Sequence, residues 1–399
     1  MSSGVTLSAA TRQNLLSLQD TAGLTSTTQN RLATGKKVNS ALDSPLNFFT
    51  SQSLNSRSKD ISSLLDGISN GVQAIQAANQ GITSIQKVVD QAKSLASQAL
   101  ATQVTTNGTA TSSASALTST SVVNFYVNGT AVSASGFTSA STVTDLVNAL
   151  NSASNAQGVG NAFTLDSTGK KVVIAASADI EFADTASQVL LGFSAGTGTG
   201  PTYGTASAAG TSSEITVSGV TQRASLAQQY NNLLTQITQL AGDASFNGVN
   251  LIAGKNNDLT INFNPKGNSN LTVASSDETA AGLGLNAVTN KDGASSTIGK
   301  GNFLLNGDIN TTMKTLNAAS DKLKADSTTL GSNLSVVQNR QDFSKQLANI
   351  LDTGAANLTN ADLNEEAANS QALSTRQSLG ISALSLANQA QQSILQLLR

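Results

Sequence analysis

The sequence predicts a mostly α-helical protein that carries an α+β insertion. Apolar residues repeat at heptad spacing towards both ends, the middle of the chain is rich in Ser, Thr, Gly and Ala, and a short later stretch alternates apolar with polar residues. We therefore expect a long helical coiled-coil or bundle rod formed by the N- and C-terminal segments, a β-hairpin, and a small outer α+β domain.

The N-terminal stretch is predicted to form a weak helix. Leu7, Leu18 and Leu32 share one helical stripe, but the other positions of that stripe are Thr11, Asn14, Thr21, Thr25 and Thr28. A stripe this polar does not stabilise an isolated helix in water. We therefore expect this helix to need neighbouring helices.

The strongest helical signal lies at 61–100. Ile, Val and Ala recur there every seven residues, with a second apolar series three residues later. Heptads sustained over this length are typical of a coiled coil rather than of an isolated globular helix. The predicted core residues are Ile61, Ile68, Ile75, Ile82, Ile85 and Val89.

The second half of the chain repeats this pattern around a change of period. Residues 258–263 and 270–273 alternate apolar with polar residues on either side of Asn264-Pro-Lys-Gly-Asn-Ser269, which predicts a β-hairpin at about 258–274. Proline occurs only at 45, 201 and 265, outside the predicted helices. The predicted core residues of the two helices flanking the hairpin are Leu226, Tyr230, Leu233, Ile237, Leu316, Leu323, Leu330, Val337, Leu351 and Leu358.

The C-terminal stretch shows apolar residues on two helical faces, which predicts a helix with more than one neighbour. Glu365 and Glu366 are expected on a solvated or intersubunit face of this helix. The predicted packing residues are Ala383, Leu384, Ala387, Ala390, Ile394, Leu395, Leu397 and Leu398.

Composition argues against most catalytic chemistry. The chain has no His and no Cys, so it lacks the commonest general base, the commonest transition-metal ligand and any thiol nucleophile. Its net charge of −2 offers no basic stripe for nucleic acid. Neither a Sec signal peptide nor a run of about 18 apolar residues is found. We expect no enzyme activity, cofactor, metal, nucleic-acid partner or membrane span.

Three motifs, in the order in which the family carries them, resemble bacterial flagellin. Residues 30–40, Asn-Arg-Leu-Ala-Thr-Gly-Lys-Lys-Val-Asn-Ser, are similar to the family signature RLSSGKRINSA. The stretch 226–234 followed by Phe246-Asn-Gly-Val-Asn-Leu-Ile252 is similar to the mid-chain helix and FNG turn, and the end, 386–399, to the family's C-terminus. The variant Leu42-Asp-Ser-Pro-Leu-Asn-Phe-Phe-Thr50 looks like flagellins of α-proteobacteria.

The middle segment resembles the flagellin IN motif of variable domains. Phe125–Thr130 is predicted as a hairpin, Val143–Leu150 as a helix and Lys171–Ile174 as a returning strand. The resemblance implies three regions. Residues 1–42 and 360–399 would form a terminal helical domain in the filament interior, 43–103 and 218–359 the helical rod domain, and 104–217 a variable outer domain.

The resemblance implies a filament subunit whose terminal helices fold on polymerisation. It also implies flagellar type III export, an extracellular location, and an export chaperone, hook-associated proteins and a cap protein as partners besides the homopolymer. Segment 85–95 aligns with the stretch that Toll-like receptor 5 recognises in other flagellins, but Val89 and Gln91 replace its second Arg and its Leu. Weak or no receptor activation is therefore expected, with Val89→Arg expected to restore some of it.

Two other functions fit parts of the sequence. Asp43-Ser-Pro45 is compatible with the hook–filament junction protein of the same axial family, although the final Leu-Leu-Arg and the FNG turn favour flagellin. A secreted enzyme or adhesin centred on 104–217 belongs to another class. Adhesion fits that segment better than catalysis, because it lacks His and Cys.

Overall fold

The computed structural model describes residues 9–196, 212–288 and 303–397. The helices are α1 Ala9–Thr34, α2 Pro45–Ala101, α3 Val143–Asn155, α4 Thr185–Leu190, α5 Val220–Asp243, α6 Asn306–Thr359 and α7 Leu363–Leu397. The strands are β1 Thr105–Thr109, β2 Val123–Val127, β3 Thr130–Ala134, β4 Phe163–Leu165, β5 Val172–Ala176, β6 Ile180–Phe182, β7 Ile215–Ser218, β8 Ser245–Phe246, β9 Val249–Asn250, β10 Leu259–Asn262 and β11 Asn270–Val273. Across these three ranges, no helix combines the length and apolarity needed to cross a bilayer.

The described residues fall into two compact units. The first takes in 1–69, 262–271 and 337–399, and the second 70–261 and 272–336. The long helices α2 and α6 contribute to both units. The predicted fold class, long helices from both ends of the chain with a β-hairpin and an α+β region, is confirmed.

In the first unit, α2 and α6 pack as an antiparallel pair. The Ser51 hydroxyl donates to the Ala355 carbonyl at 3.2 Å, and the Ser58 hydroxyl donates to the Ala348 carbonyl at 3.4 Å, so partner numbers fall as helix numbers rise. Ile61 packs with Ala348 and its neighbours in a small apolar cluster. The predicted heptad residue Ile61 therefore lies at a helix–helix contact.

In the second unit the same two helices keep this register. Ser327 donates to the Asn79 side chain at 2.7 Å, and the Gln86 amide donates to the Ser320 hydroxyl at 3.1 Å. Helix α5 adds its apolar face, on which Tyr230 is buried with its ring 5.5 Å from that of Phe303. Burial raises the pKa of Tyr230 to about 12.

One cation is buried where α5 begins. The Arg223 guanidinium is 4% exposed and donates to the carbonyl of Thr102 just after α2 and to the carbonyls of Phe303 and Leu304 before α6. It also donates to Asn306 Oδ1 at 2.8 Å. Arg223 thus joins the ends of three helices, and the loss of solvation lowers its pKa.

The middle of the chain forms two small antiparallel sheets. One has the order β4-β5-β1-β7 and the other β3-β2-β6. Asn128 and Gly129 both adopt positive φ between β2 and β3, as a tight hairpin turn requires. Thr142 and Asp145 cap α3 reciprocally, and that helix packs Leu146 and Leu150 onto a core that also contains Phe125 and Phe163. The predicted hairpin, helix and returning strand are confirmed.

The later hairpin is also confirmed, as β10 and β11. Thr260 and Thr272 face each other across it, with hydroxyl oxygens 3.3 Å apart. At its turn, the Asn264 side chain accepts from the Ser269 backbone N–H at 3.3 Å, which closes the loop that contains Pro265. This is the local chemistry that the Asn-Pro-Lys-Gly run predicted.

Candidate subunit-packing surface

Helices α1 and α7 pack against each other within one chain. Leu18 of α1 lies against Gly380 of α7, where an added Cβ would come within 2.8 Å of Leu18 Cδ2. Nearer the other end of the pair, Arg31 contacts Glu366, and Lys36 and Asn360 form an isolated antiparallel bridge. The helices are therefore antiparallel, and Gly380 lets them approach closely.

An ion pair fixes the register of these two helices. Arg31 Nη1 donates to Glu366 Oε1 at 3.0 Å, and the Glu366 residue is only 7% exposed. The expectation that Glu366 faces solvent or another subunit is wrong, because its charge is buried against Arg31 of the same chain. Glu365 is exposed, as a solvated face requires. The two ionic partners are 335 positions apart, so no local pattern could have paired them.

The loop after α1, which contains the second half of the motif at 30–40, is held by hydrogen bonds from its backbone. The backbone N–H groups of Asn39 and Ser40 donate to Asp43 Oδ2 at 3.0 and 2.9 Å. Those bonds, led by the one from Ser40, lower the pKa of Asp43. Lys37 N–H donates to the Thr359 carbonyl at 2.7 Å, which ties the loop to the end of α6.

The two terminal helices leave large apolar side chains uncovered. Leu379 is 65% exposed and Leu386 is 68% exposed, both on α7. Among the described side chains of the pair, the others of this kind are Leu15, Leu16, Leu24, Leu363 and Ile381. We call these seven residues the uncovered surface. At 3.6 residues per turn Leu379 and Ile381 lie about 200° apart around α7, so these side chains occupy more than one face of the pair. A helix that is apolar on more than one face needs more than one neighbour.

None of the predicted packing residues belongs to the uncovered surface. Leu18, Leu32, Leu384 and Ala387 are half-buried, whereas Ala383 and Ala390 are exposed. Leu7 and Leu398 lie outside the described residues, and the side chains of Ile394, Leu395 and Leu397 are not described. Sequence reasoning thus found residues of both helices but missed the seven most exposed ones. The spacing of seven between Leu379 and Leu386 was the signal that could have found two of them.

The predicted rod-core residues are mostly buried. Leu233 and Leu358 are half-buried, and Leu234 takes the core position next to Leu233. The buried members are Ile61, Ile68, Ile75, Ile82, Ile85, Val89, Leu226, Tyr230, Ile237, Leu316, Leu323, Leu330, Val337 and Leu351.

The receptor-like segment divides between core and surface. Val89 is 0% exposed, whereas Gln91 is exposed. A Val89→Arg change would place a guanidinium in the core, so the expected gain of activity from that variant does not follow from this structure. Of these two positions, Gln91 is the one whose side chain is accessible to a receptor.

A pocket of about 590 Å³ lies beside the hairpin turn in the first unit. Arg57, Asp60, Lys266 and Arg340 line it, and the Arg340 guanidinium stands 5.7 Å from the centre of the Phe263 ring. Of its ionisable residues only Asp60 is acidic, so the pocket offers no pair of carboxylates for acid–base chemistry. Elsewhere in the described ranges, no three His, Cys, Asp or Glu residues cluster as metal ligands would.

Both ends of the chain match family models. Residues 5–122 match the bacterial flagellin N-terminal helical region, and residues 313–398 match the bacterial flagellin C-terminal helical region. The two matches comprise 118 and 86 residues, slightly more than half of 399. They include α1, α2, α7 and nearly all of α6.

Curated relatives agree with these matches. Flagellin FljM of Caulobacter vibrioides is 37% identical over 174 residues, which is 44% of this chain and 59% of the relative. A flagellin of Brucella melitensis is 28% identical over 180 residues, 43% of this chain and 60% of the relative. Flagellin A of Rhizobium meliloti is 43% identical over 70 residues, 18% of each. The chain thus spans about three fifths of the length of the first two relatives.

Proposed function

Because this chain belongs to the bacterial flagellin family, we propose that it is a structural subunit that self-assembles into a helical flagellar filament. The observation that carries the proposal is the uncovered surface of α1 and α7. A second copy of the chain is the partner that family membership favours for this surface. The relatives reported above are named flagellins, and none of them favours the hook–filament junction protein.

The energetics of the uncovered surface suit assembly. Fully burying one Leu or Ile side chain contributes about 1.5–3 kcal/mol. Association costs about 4–15 kcal/mol in lost freedom of motion. The seven side chains are each 41–68% exposed, so burying what remains exposed would contribute about 6–12 kcal/mol, which is of the same order as that cost. A head-to-tail contact that does not close into a ring extends into an open helical polymer.

We propose further that the terminal helices become stable only on assembly. Helix α1 contains Gly23 and several threonines, and Thr21 and Thr25 donate their hydroxyls to carbonyls four residues back. Gly and Thr have low helix propensity, and such back-bonding slightly weakens a helix. A helix pair built this way gains from neighbours that bury its outer face.

The experiment replaces both Leu379 and Leu386 with serine. Losing these contacts should weaken each subunit contact by about 2–4 kcal/mol, which raises the critical concentration for polymerisation roughly 30- to 1,000-fold. Sedimentation of filaments measures this, and hydrogen exchange on the same samples should show α1 and α7 protected in wild-type filaments but not in dilute subunits.

The matched control is Val189→Ser, which removes an apolar side chain that is 48% exposed on α4. This variant should polymerise at the wild-type concentration. Normal assembly of the double variant would contradict the proposed role of the uncovered surface. Slow hydrogen exchange throughout α1 and α7 in the free subunit would contradict the proposal that these helices fold on assembly, but not the role of the uncovered surface.

The remaining parts of the proposal follow from the family. We propose a terminal domain at 1–42 and 360–399, a rod domain at 43–103 and 218–359, and an outer domain at 104–217. The separate apolar core within 104–217 supports the outer domain. We also propose type III export, a location outside the cell, and contacts with an export chaperone, hook-associated proteins and a cap protein. A structural rather than enzymatic role fits this family.

We propose that Toll-like receptor 5 recognises the chain weakly. Val89 is buried, and the exposed Gln91 stands where the aligned family segment has an apolar Leu. Gln91→Leu is therefore expected to raise the response to purified monomer in a receptor reporter assay. A strong response to the unmodified monomer at low concentration would refute weak recognition.

A further inference from the structure

Three charged residues meet in the second unit beneath the segment that follows the β-hairpin. Glu278 is 0% exposed, and its Oε1 accepts from Lys322 Nζ on α6 at 2.7 Å. The same ammonium donates to the Asp277 carbonyl at 2.8 Å and lies 3.5 Å from Asp326 Oδ2. One cation therefore serves two carboxyl groups.

One oxygen of each carboxyl group is buried and accepts no hydrogen bond. These are Glu278 Oε2 and Asp326 Oδ2, the latter being the oxygen that lies 3.5 Å from the Lys322 ammonium. With both groups ionised, the cluster would carry a net charge of −1, and the buried Oε2 of an ionised Glu278 would have no donor, which is unfavourable. A single added proton makes the cluster neutral and can lie between the two carboxyl groups.

We propose that Glu278 and Asp326 share one proton, and that this proton fastens the segment Ser276–Leu285 to α6. The segment carries the buried side chains of Leu283 and Leu285, and Ala280 N–H reaches Thr238 Oγ1 of α5 at 3.4 Å. Losing the proton would therefore loosen a contact of this segment with two helices. The inference does not depend on filament assembly.

The neighbours of Glu278 determine the sign of its response to pH. Burial contributes most to raising the pKa of Glu278, Asp326 raises it further, and Lys322 and Ser276 lower it, leaving it at about 7. The carboxylate of Asp277 instead accepts from Thr279 N–H at 3.1 Å. Since the pKa of Glu278 is raised on folding, the stabilisation that its proton provides is fully present below the unfolded value of 4.5. It is lost as pH rises through about 7.

The chain suits a direct test because it contains no His. No imidazole titrates near pH 7, and the α-amino group, at a pKa of about 7.7–8.0, is distinguishable by its resonance. We would follow side-chain carboxyl carbons of the full-length chain by NMR from pH 4 to 9. The Glu278 resonance is expected to titrate near pH 7, and the opening equilibrium of Ser276–Leu285, from hydrogen exchange, to rise about tenfold per pH unit between pH 5 and 7.

Glu278→Gln supplies the second measurement. Its amide can donate to Asp326 as the shared proton does, so the pH dependence of opening should disappear while the segment stays closed. Glu365→Gln, at an exposed glutamate, should leave the wild-type profile unchanged. A Glu278 resonance that titrates below pH 5, or an unchanged pH profile in Glu278→Gln, would overturn the inference. The wild-type titration decides the matter if the variant does not fold.

Discussion

Replacing Arg223 with alanine is expected to lower the free energy of unfolding by about 3–5 kcal/mol, among the largest effects of any single substitution. The guanidinium makes four hydrogen bonds, to Thr102, Phe303, Leu304 and Asn306. Removing it leaves buried carbonyl groups without a donor and opens a cavity at the meeting point of α2, α5 and α6. A hydrogen bond from a charged group contributes about 1.5–3 kcal/mol, so losing several is severe.

Urea unfolding of the full-length chain followed by circular dichroism measures this loss. Arg223→Lys keeps the positive charge but not the planar fork of donors, so it should recover only part of the stability. Arg57→Ala removes an exposed arginine from α2 and should change stability by less than about 0.5 kcal/mol. A loss below about 1 kcal/mol in Arg223→Ala would show that water replaces the guanidinium as a donor.

Substituting alanine at two glycines of α2 is expected to give effects of opposite sign. A Cβ on Gly81 would lie 2.6 Å from the Cβ of Ala244 and 2.7 Å from Cδ1 of Ile252. A Cβ on Gly67 would meet nothing within 4 Å. Overpacking costs about 1–3 kcal/mol, and it outweighs the gain of about 1 kcal/mol in helix propensity at Gly81 but not at Gly67.

Gly81→Ala should therefore destabilise the second unit by up to about 2 kcal/mol, whereas Gly67→Ala should stabilise the chain by about 0.5–1 kcal/mol. Both variants add the same methyl group to the same helix, so each is the control for the other. Equal effects in urea unfolding would mean that the segment around Ala244 and Ile252 shifts to accept the new atom.

Helices and turns were readable from the sequence because their signals are local. Ile68, Ile75 and Ile82 lie seven apart, and they are buried on one face of α2 as heptad spacing predicts. Asn128-Gly129 and Asn264-Pro265 likewise carry the turn chemistry of their own hairpins. Leu233 shows the limit of this approach. Two adjacent leucines fit the stripe of α5, and packing against the neighbouring elements buried Leu234 instead.

The residues of the uncovered surface could not be read from the sequence, because exposure depends on which helix covers which face. Leu18 and Leu379 both look like apolar positions of amphipathic helices, yet Leu18 packs on Gly380 whereas Leu379 stays uncovered. Arg223 gave a weak signal, as a charge within the apolar stripe three residues before Leu226. Its partners around residues 102 and 303–306 could not be inferred.

The sequence by itself determined the helical periods, the hairpin turns and the family, since each depends on residues close together in the chain. Only the tertiary structure decided that Arg31 belongs with Glu366, that Glu278 meets Asp326 and Lys322, and that Val89 lies in the core. These pairings join positions 44 to 335 residues apart or depend on burial by distant segments. The physical reason is that heptad spacing specifies which face of a helix is apolar, whereas contacts with other elements decide what covers that face.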